Sequence, residues 1–143
     1  MRIADILRGK GASVATITPE TSVAGLLTEL NLHNIGAMVV MSPDGLVGIV
    51  SERDVVRKLH ELGAEILRRP VSEIMTTMVA TCAPTDSVDS LSALMTTNRV
   101  RHIPVVEDGR LVGIVSIGDV VKNRMEQLEA EHSQLQAYIT QGG

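Results

Sequence analysis

The chain writes nearly the same eleven residues twice. "LVGIVSERDVV" at 46–56 returns 65 positions later as "LVGIVSIGDVV" at 111–121. An internal repeat constrains a fold more than any local signal, because two copies of one unit must form the same elements and then share the surface that neither can bury alone. The same shift sets "VATITPETSVAGLL" (14–27) over "VATCAPTDSVDSLS" (79–92) and runs without a gap to Arg57 over Lys122. A shift of 68 places "RIADIL" (2–7) over "PVSEIM" (70–75), a fainter echo ahead of each copy.

Each copy has one grammar. Thr21 stands as the N-cap of a helix whose apolar residues Val23, Leu26, Leu27 and Leu30 fall at i, i+3, i+4 and i+7, and Asp86 takes the cap position in the second copy. Next come "AMVVM" (37–41) and "LVGIV" (46–50), short β-branched runs separated by Pro43, Asp44 and Gly45, which predicts a hairpin. Its counterpart is "HIPVV" (102–106), the turn "EDGR" and "LVGIV" (111–115). A helix from near Ser51 or Ser116 closes each copy, with Val55, Val56, Leu59 and Leu62 as the first one's apolar stripe. The expected fold is α/β, two tandem β-α-β-β-α repeats packed with pseudo-two-fold symmetry plus a C-terminal helical extension. Pro70 breaks the preceding helix and marks the boundary, giving repeats at 1–67 and 68–125 and a tail at 126–143. In the tail, Met125, His132 and Ile139 lie seven apart, as do Val121, Leu128 and Leu135, a narrow seam of the kind that pairs helices. The competing expectation is an amphipathic helix lying on its own domain.

Composition removes several classes of function. With 143 residues, 44% of them hydrophobic, the chain can bury a core unaided. The single Cys82 rules out an internal disulfide and reads as small buried filler, which fits a reducing cytoplasm. No apolar run is long enough for a membrane span, and "MRIADILRGK" lacks the apolar core and cleavage site of a secretion signal. A formal charge of −4, with no Trp, no Phe and one Tyr, opposes direct binding of nucleic acid, which wants a basic stripe and stacking rings. The His residues at 33, 60, 102 and 132 have no metal-ligand spacing, the seven Met serve as core filler, and neither a Walker-type phosphate loop nor a positioned nucleophile and base appears. The expectation is no metal and no enzyme.

The chemistry therefore rests on "GIVSERD" and "GIVSIGD". Ser followed three positions later by Asp is first a capping box. Capping leaves unexplained why Gly48 and Gly113 sit inside apolar strands, where glycine weakens a strand unless a backbone or a ligand approaches closely. A helix start also presents free N–H groups and a positive dipole end to an anion, while the adjacent carboxylate can accept hydrogen bonds from paired hydroxyls such as those of a ribose. Hydroxyls near Asp and phosphate farther off describe a nucleotide.

The repeated unit, with "TP" near its start, "HIPVV" before the turn and "LVGIVS..D" after it, resembles the CBS domain, and two in tandem resemble a CBS pair, or Bateman module, here a free-standing one spanning roughly residues 1–125. The resemblance implies an adenosine-containing ligand (AMP, ADP or ATP, sometimes S-adenosylmethionine or a dinucleotide) held in two clefts between the repeats, a regulatory role towards a protein partner, a homodimer, and no required cofactor. It implies that Ser51 with Asp54, and Ser116 with Asp119, hold ribose hydroxyls. It places backbone groups of Gly36, Ala37 and Met38 opposite Asp119, and those of Arg101, His102 and Ile103 opposite Asp54.

The copies differ where a phosphate would sit. Asn34, Gly36 and Ala37 of the first answer to Arg99, Arg101 and His102 of the second, while Arg53 answers to Gly118. The Asp54 cleft is thus expected to collect Arg53, Arg101 and His102 and to bind phosphate more tightly. The "h-P-V-V" form of the family occurs only in the second copy, since Val39 stands where Pro104 does. The rival expectation is an assembly module with empty clefts.

Overall fold

The computed structural model describes residues 1–11 and 13–142. Helix α1 (Ile3–Lys10) leads into the first repeat: β1 (Thr16–Ile17), α2 (Val23–His33), β2 (Ala37–Ser42), β3 (Gly45–Ser51) and α3 (Glu52–Leu62). Two short 3₁₀ turns, Ala64–Arg68 and Val71–Glu73, join it to α4 (Val88–Asn98), β4 (His102–Glu107), β5 (Arg110–Ser116) and α5 (Ile117–Gly142). In the first repeat β1 runs parallel to β2, and β2 antiparallel to β3. β4 and β5 form the matching antiparallel pair. Both hairpins carry a register shift at the same place, between Val40 and Met41 and between Val105 and Val106. Asp108 and Gly109 at the second hairpin tip both have positive φ, 52° and 76°, the requirement of a type I′ turn.

Two expected features shift. Helices α2 and α4 are capped by Ser22 and Ser87, whose Oγ atoms accept from the Gly25 and Ser90 amides at 3.0 Å. Thr21 and Asp86 instead close the turn before each helix, accepting from the amides of Thr18 (3.3 Å) and Ala83 (2.8 Å). The opening strand of the second repeat shrinks to a single parallel bridge, Cys82 with Val105. In the first repeat Thr16 pairs with Val39. The residue equivalent to Val39 is Pro104, which has no N–H to give, so pairing is lost one residue before Cys82. Cys82 itself is 7% exposed, and burial, with Asp86 adding, pushes its thiol up to about 11, the state of an unreactive filler.

The core is two clusters, and the leading segments are exchanged between them. One comprises Ile17, Val23, Leu26, Leu30, Met38, Val40, Val50 and Val55 with Ile66, Val71 and Ile74, which follow the first repeat's last helix. The other joins Val88, Leu91, Met95, Ile103, Val105 and Val115 to Ile3 and Ile6 from α1. Each leading segment docks on the other copy's capped helix: Val88 N donates to Met1 O (3.0 Å) as Val23 N donates to Arg69 O (2.9 Å). The weak echo between "RIADIL" and "PVSEIM" is this shared docking role. The strand glycines serve it too. A Cβ on Gly48 would lie 2.6 Å from Met75 Sδ and 2.9 Å from Thr76 O, and one on Gly113 would lie 2.6 Å from Leu7 Cδ2. Of the two reasons for a strand glycine, close approach of protein is the one met here.

Helix α5 continues past the body. Every residue from 128 to 141 is exposed, so its last turns do not lie on their own domain.

Candidate functional site

Each repeated motif ends a strand and opens a helix, so its Ser is the last strand residue and its Asp lies in the first helical turn. Both form complete capping boxes. Asp54 Oδ2 accepts from Ser51 N (2.9 Å) and Ser51 Oγ (3.1 Å), and Asp119 Oδ2 accepts from Ser116 N (2.8 Å) and Ser116 Oγ (3.0 Å). Capping engages one oxygen of each carboxylate, and Oδ1 of both Asp54 and Asp119 has no protein partner among the described residues. The helix start is a poorer anion site than expected. Glu52 N donates to Gly36 O (2.9 Å) and Asp54 N to Ser51 Oγ, which leaves little of the first turn unsatisfied.

Positive charge comes from side chains instead. A cleft of about 930 Å³ opens beside Asp54, walled by Ser51, Arg53, Val56 and Arg57 of the first repeat, Met78, Val79 and Ala80 of the connection, and Asn98, Arg99, Arg101 and His102 of the second. Arg53, Arg57, Arg99 and Arg101 stand there against the carboxylates of Glu52 and Asp54. Arg53, Arg101 and His102 are thus gathered with Asp54, as the copy-to-copy difference suggested. Arg57 was not anticipated, although it lies one helical turn after Arg53. Arg99 holds a left-handed backbone (φ 54°) at the end of α4, where the first repeat has Asn34 (φ 52°). Asparagine adopts that conformation readily and arginine does not.

Gly36 and Ala37, expected opposite Asp119, instead line the Asp54 cleft. The bond from Glu52 N to Gly36 O and the pairing of Ala37 with Ser51 fix that strand end beside the Asp54 helix. Met38 and Ile103 are 1% and 0% exposed, core side chains that can offer a ligand only their backbone. His102 stands between the motifs: it lines the Asp54 cleft, pairs with Ser116, and its ring lies against Gly36. Burial pushes its imidazole below the ordinary value, Lys10 and Arg101 push the same way, and Asp119 and Glu52 oppose them.

The Asp119 motif differs from its twin by one contact that sequence reasoning missed. Lys10, at the end of α1, donates to Asp119 Oδ2 (2.6 Å) and to Ile114 O (2.8 Å). Burial pushes the Asp119 carboxyl up, but the Lys10 ammonium and the Ser116 bonds outweigh it and hold the group below the usual carboxylate range. The signal was available: the 68-residue shift that aligns "RIADIL" with "PVSEIM" sets Lys10 over Met78, which lines the Asp54 cleft. Among the described residues no His, Cys, Asp and Glu gather as a metal site, and no helix is long and apolar enough to cross a membrane.

The CBS domain family matches this chain twice, at residues 4–61 and 71–126. The chain is 38% identical to the CBS domain-containing protein CBSX3, mitochondrial, of Arabidopsis thaliana, over 99% of its own length and 72% of that protein's. It is 32% identical to the CBS domain-containing protein YhcV of Bacillus subtilis, covering 82% and 83% of the two chains. The crystal structure of the CBS-domain containing protein ATU1752 from Agrobacterium tumefaciens superposes with a TM-score of 0.85 at 42% identity, covering 87% of this chain and 99% of that one. The CBS domain pair of protein MJ0100, solved in complex with 5-methylthioadenosine and S-adenosyl-L-methionine, superposes at 0.76 with 28% identity over 85% and 98%. With both repeats matched and the same Ser and Asp opening a helix in each, the chain belongs to the CBS-domain family as a tandem pair of repeats.

Proposed function

We propose that this CBS pair is a regulatory sensor of a phosphate-bearing adenosine compound, of the AMP, ADP or ATP type, with the Asp54 cleft as its principal site. One observation carries the reading: a cleft large enough for a nucleotide has a carboxylate oxygen free at one wall and four guanidinium groups around it. In this reading Ser51 and Asp54 take the ribose hydroxyls, and the backbone at Arg101, His102 and Ile103 faces the adenine. Arg53, Arg99 and Arg101 meet the phosphate, each charge-assisted bond contributing about 1.5–3 kcal/mol. Ser116 and Asp119 form the second, weaker site, with the backbone at Gly36, Ala37 and Met38 facing its adenine. The adenosine ligands of MJ0100 support the ligand class, and the arginines favour a phosphate over the uncharged or cationic ligands of that protein.

Ligand bridging both repeats favours one relative orientation, and unequal affinity for two orientations shifts their populations. The signal leaves through a homodimer or a protein partner in the cytoplasm, and the exposed apolar residues of α5 supply the surface. Calorimetric titration of the pure chain with AMP, ADP, ATP, NADH and S-adenosylmethionine tests this, repeated with Asp54→Ala and Asp119→Ala. Micromolar binding of a phosphate-bearing ligand, lost selectively in Asp54→Ala, is expected; silence from every ligand would return the chain to a purely structural assembly module.

A further inference from the structure

We infer that α5 pairs with α5 of a second copy as a parallel two-stranded coiled coil, with His132 set against its own counterpart. The pairing rests on the homodimer of the proposed function, gives it a contact and a direction, and does not depend on which ligand the clefts take. Helix α5 has two working faces. Val120, Asn123 and Gln127 turn towards the body, Val120 packed on the second core cluster and Asn123 buried. The seam of Val121, Met125, Leu128, His132, Leu135 and Ile139 lies about a third of a turn round the helix from them. Its apolar members are each more than half exposed, alongside the body as well as beyond it. Residues 128 to 141 are all exposed, and a helical stretch of that length gains little stability in water by itself, so a partner along the seam supplies what packing on the body does not.

Charge complementarity sets the occupant and its direction. The spacing makes Val121, Leu128 and Leu135 the d positions of a heptad repeat and Met125, His132 and Ile139 the a positions, with Arg124 and Glu131 at g and Lys122 and Glu129 at e. In a parallel pair each g residue faces the e residue one heptad on in the other strand, so Arg124 meets Glu129 of the second copy on both sides of the seam, and Glu131 meets the neutral Gln136. The antiparallel pairing that overlaps the whole seam sets Glu129 against Glu129 and Glu131 against Glu131, like charges at the middle of the contact. Arg124 also bonds Asp89 at 3.3 Å, an exposed contact that leaves other guanidinium donors for a second carboxylate. His132 favours the same direction. In the parallel pair it shares a layer with its own counterpart, imidazole beside imidazole, whereas the antiparallel one would set it against Leu128. Leucine at two d positions with Ile139 at an a position suits two strands.

The test is disulfide formation under mild oxidation in the full chain, with His132→Cys on the seam and Ala137→Cys on the outer side of the same helix as the control; buried Cys82 takes no part. His132→Cys is expected to cross-link to a species of twice the mass, and Ala137→Cys to stay single. A cross-link that forms only when His132→Cys chains are mixed with Leu128→Cys chains would make the pairing antiparallel and overturn the proposal. Equal cross-linking at 132 and 137, or a wild-type chain that is monomeric in light scattering, would overturn it as well. Charge reversal is an independent arm: Arg124→Glu should weaken dimerisation roughly tenfold, and adding Glu129→Arg should restore it. No recovery in the double variant would remove the parallel direction. Nucleotide titration reads separately from both arms, so a chain that cross-links at 132 yet binds no ligand would sink the sensor reading and leave the pairing standing.

Discussion

Arg99 is the residue whose backbone and side chain pull in opposite directions. Its left-handed φ of 54° costs an ordinary residue roughly 1–2 kcal/mol, and the matching position of the first repeat avoids much of that cost with Asn34. Strain retained at a cleft wall points to use. Arg99→Asn is therefore expected to raise the melting temperature while weakening phosphate-ligand binding several-fold; a variant that binds as tightly as the parent would make the strain incidental. His102 gives a second prediction. Its folded pKa is lowered, so between that value and the ordinary 6.5 the unfolded chain binds the extra proton and this residue's contribution to stability falls as pH falls. A phosphate placed beside it opposes the shift, so ligand binding near pH 6.5 should take up proton at His102. Calorimetry in buffers of different ionisation enthalpy should show that uptake in wild type and less of it in His102→Asn. At this scale Ser51, Asp54, Ser116 and Asp119 were legible because the chain states them twice. Lys10 was not, since its partner lies 109 residues away and only the faint 68-residue echo ties it to the cleft.

Among the elements, hairpins and motif helices could be read from the sequence because turn residues bound short β-branched runs and capping boxes fix where helices begin. Helix starts at α2 and α4 were misread by one residue because Thr21 and Asp86 are also good hydrogen-bonding residues, and only the observed bonds separate closing a turn from capping a helix. The exchange of leading segments was hidden for another reason: hydrophobic periodicity says which face of α1 is buried and not against which copy. Gly48 and Gly113 turn that exchange into a stability prediction. Gly48→Ala would drive a methyl group into the Thr76 carbonyl and Met75, and should cost about 1–3 kcal/mol, the usual scale of overpacking. Gly113→Ala meets only the flexible Leu7 side chain and should cost less, with Leu7→Ala restoring part of it. Equal, negligible shifts in denaturant midpoint would mean that neither contact is tight.

For the whole molecule, pseudo-symmetry was legible and its breaking only partly so. Arg53, Arg101 and His102 marked one cleft as the more basic, yet the Lys10 bond to Asp119, without a counterpart at Asp54 among the described residues, is a difference that no copy-to-copy alignment at 65 residues displays. Helix α5 is the largest departure from symmetry, 26 residues against 11 for α3, and carries Leu128, Leu135 and Ile139 more than half exposed. Pairing with a second copy along this seam is the expected use. Leu128→Glu with Leu135→Glu should convert a dimer to a monomer in light scattering while leaving the melting transition of the body in place; an unchanged mass would rule out pairing along this seam. The central claim, that the Asp54 cleft is the principal nucleotide site, is tested most directly by a crystal structure of the chain with AMP at sub-saturating concentration. The account predicts the ribose on Asp54 with its phosphate among Arg53, Arg99 and Arg101. AMP seated on Asp119 with the Asp54 cleft empty would contradict it.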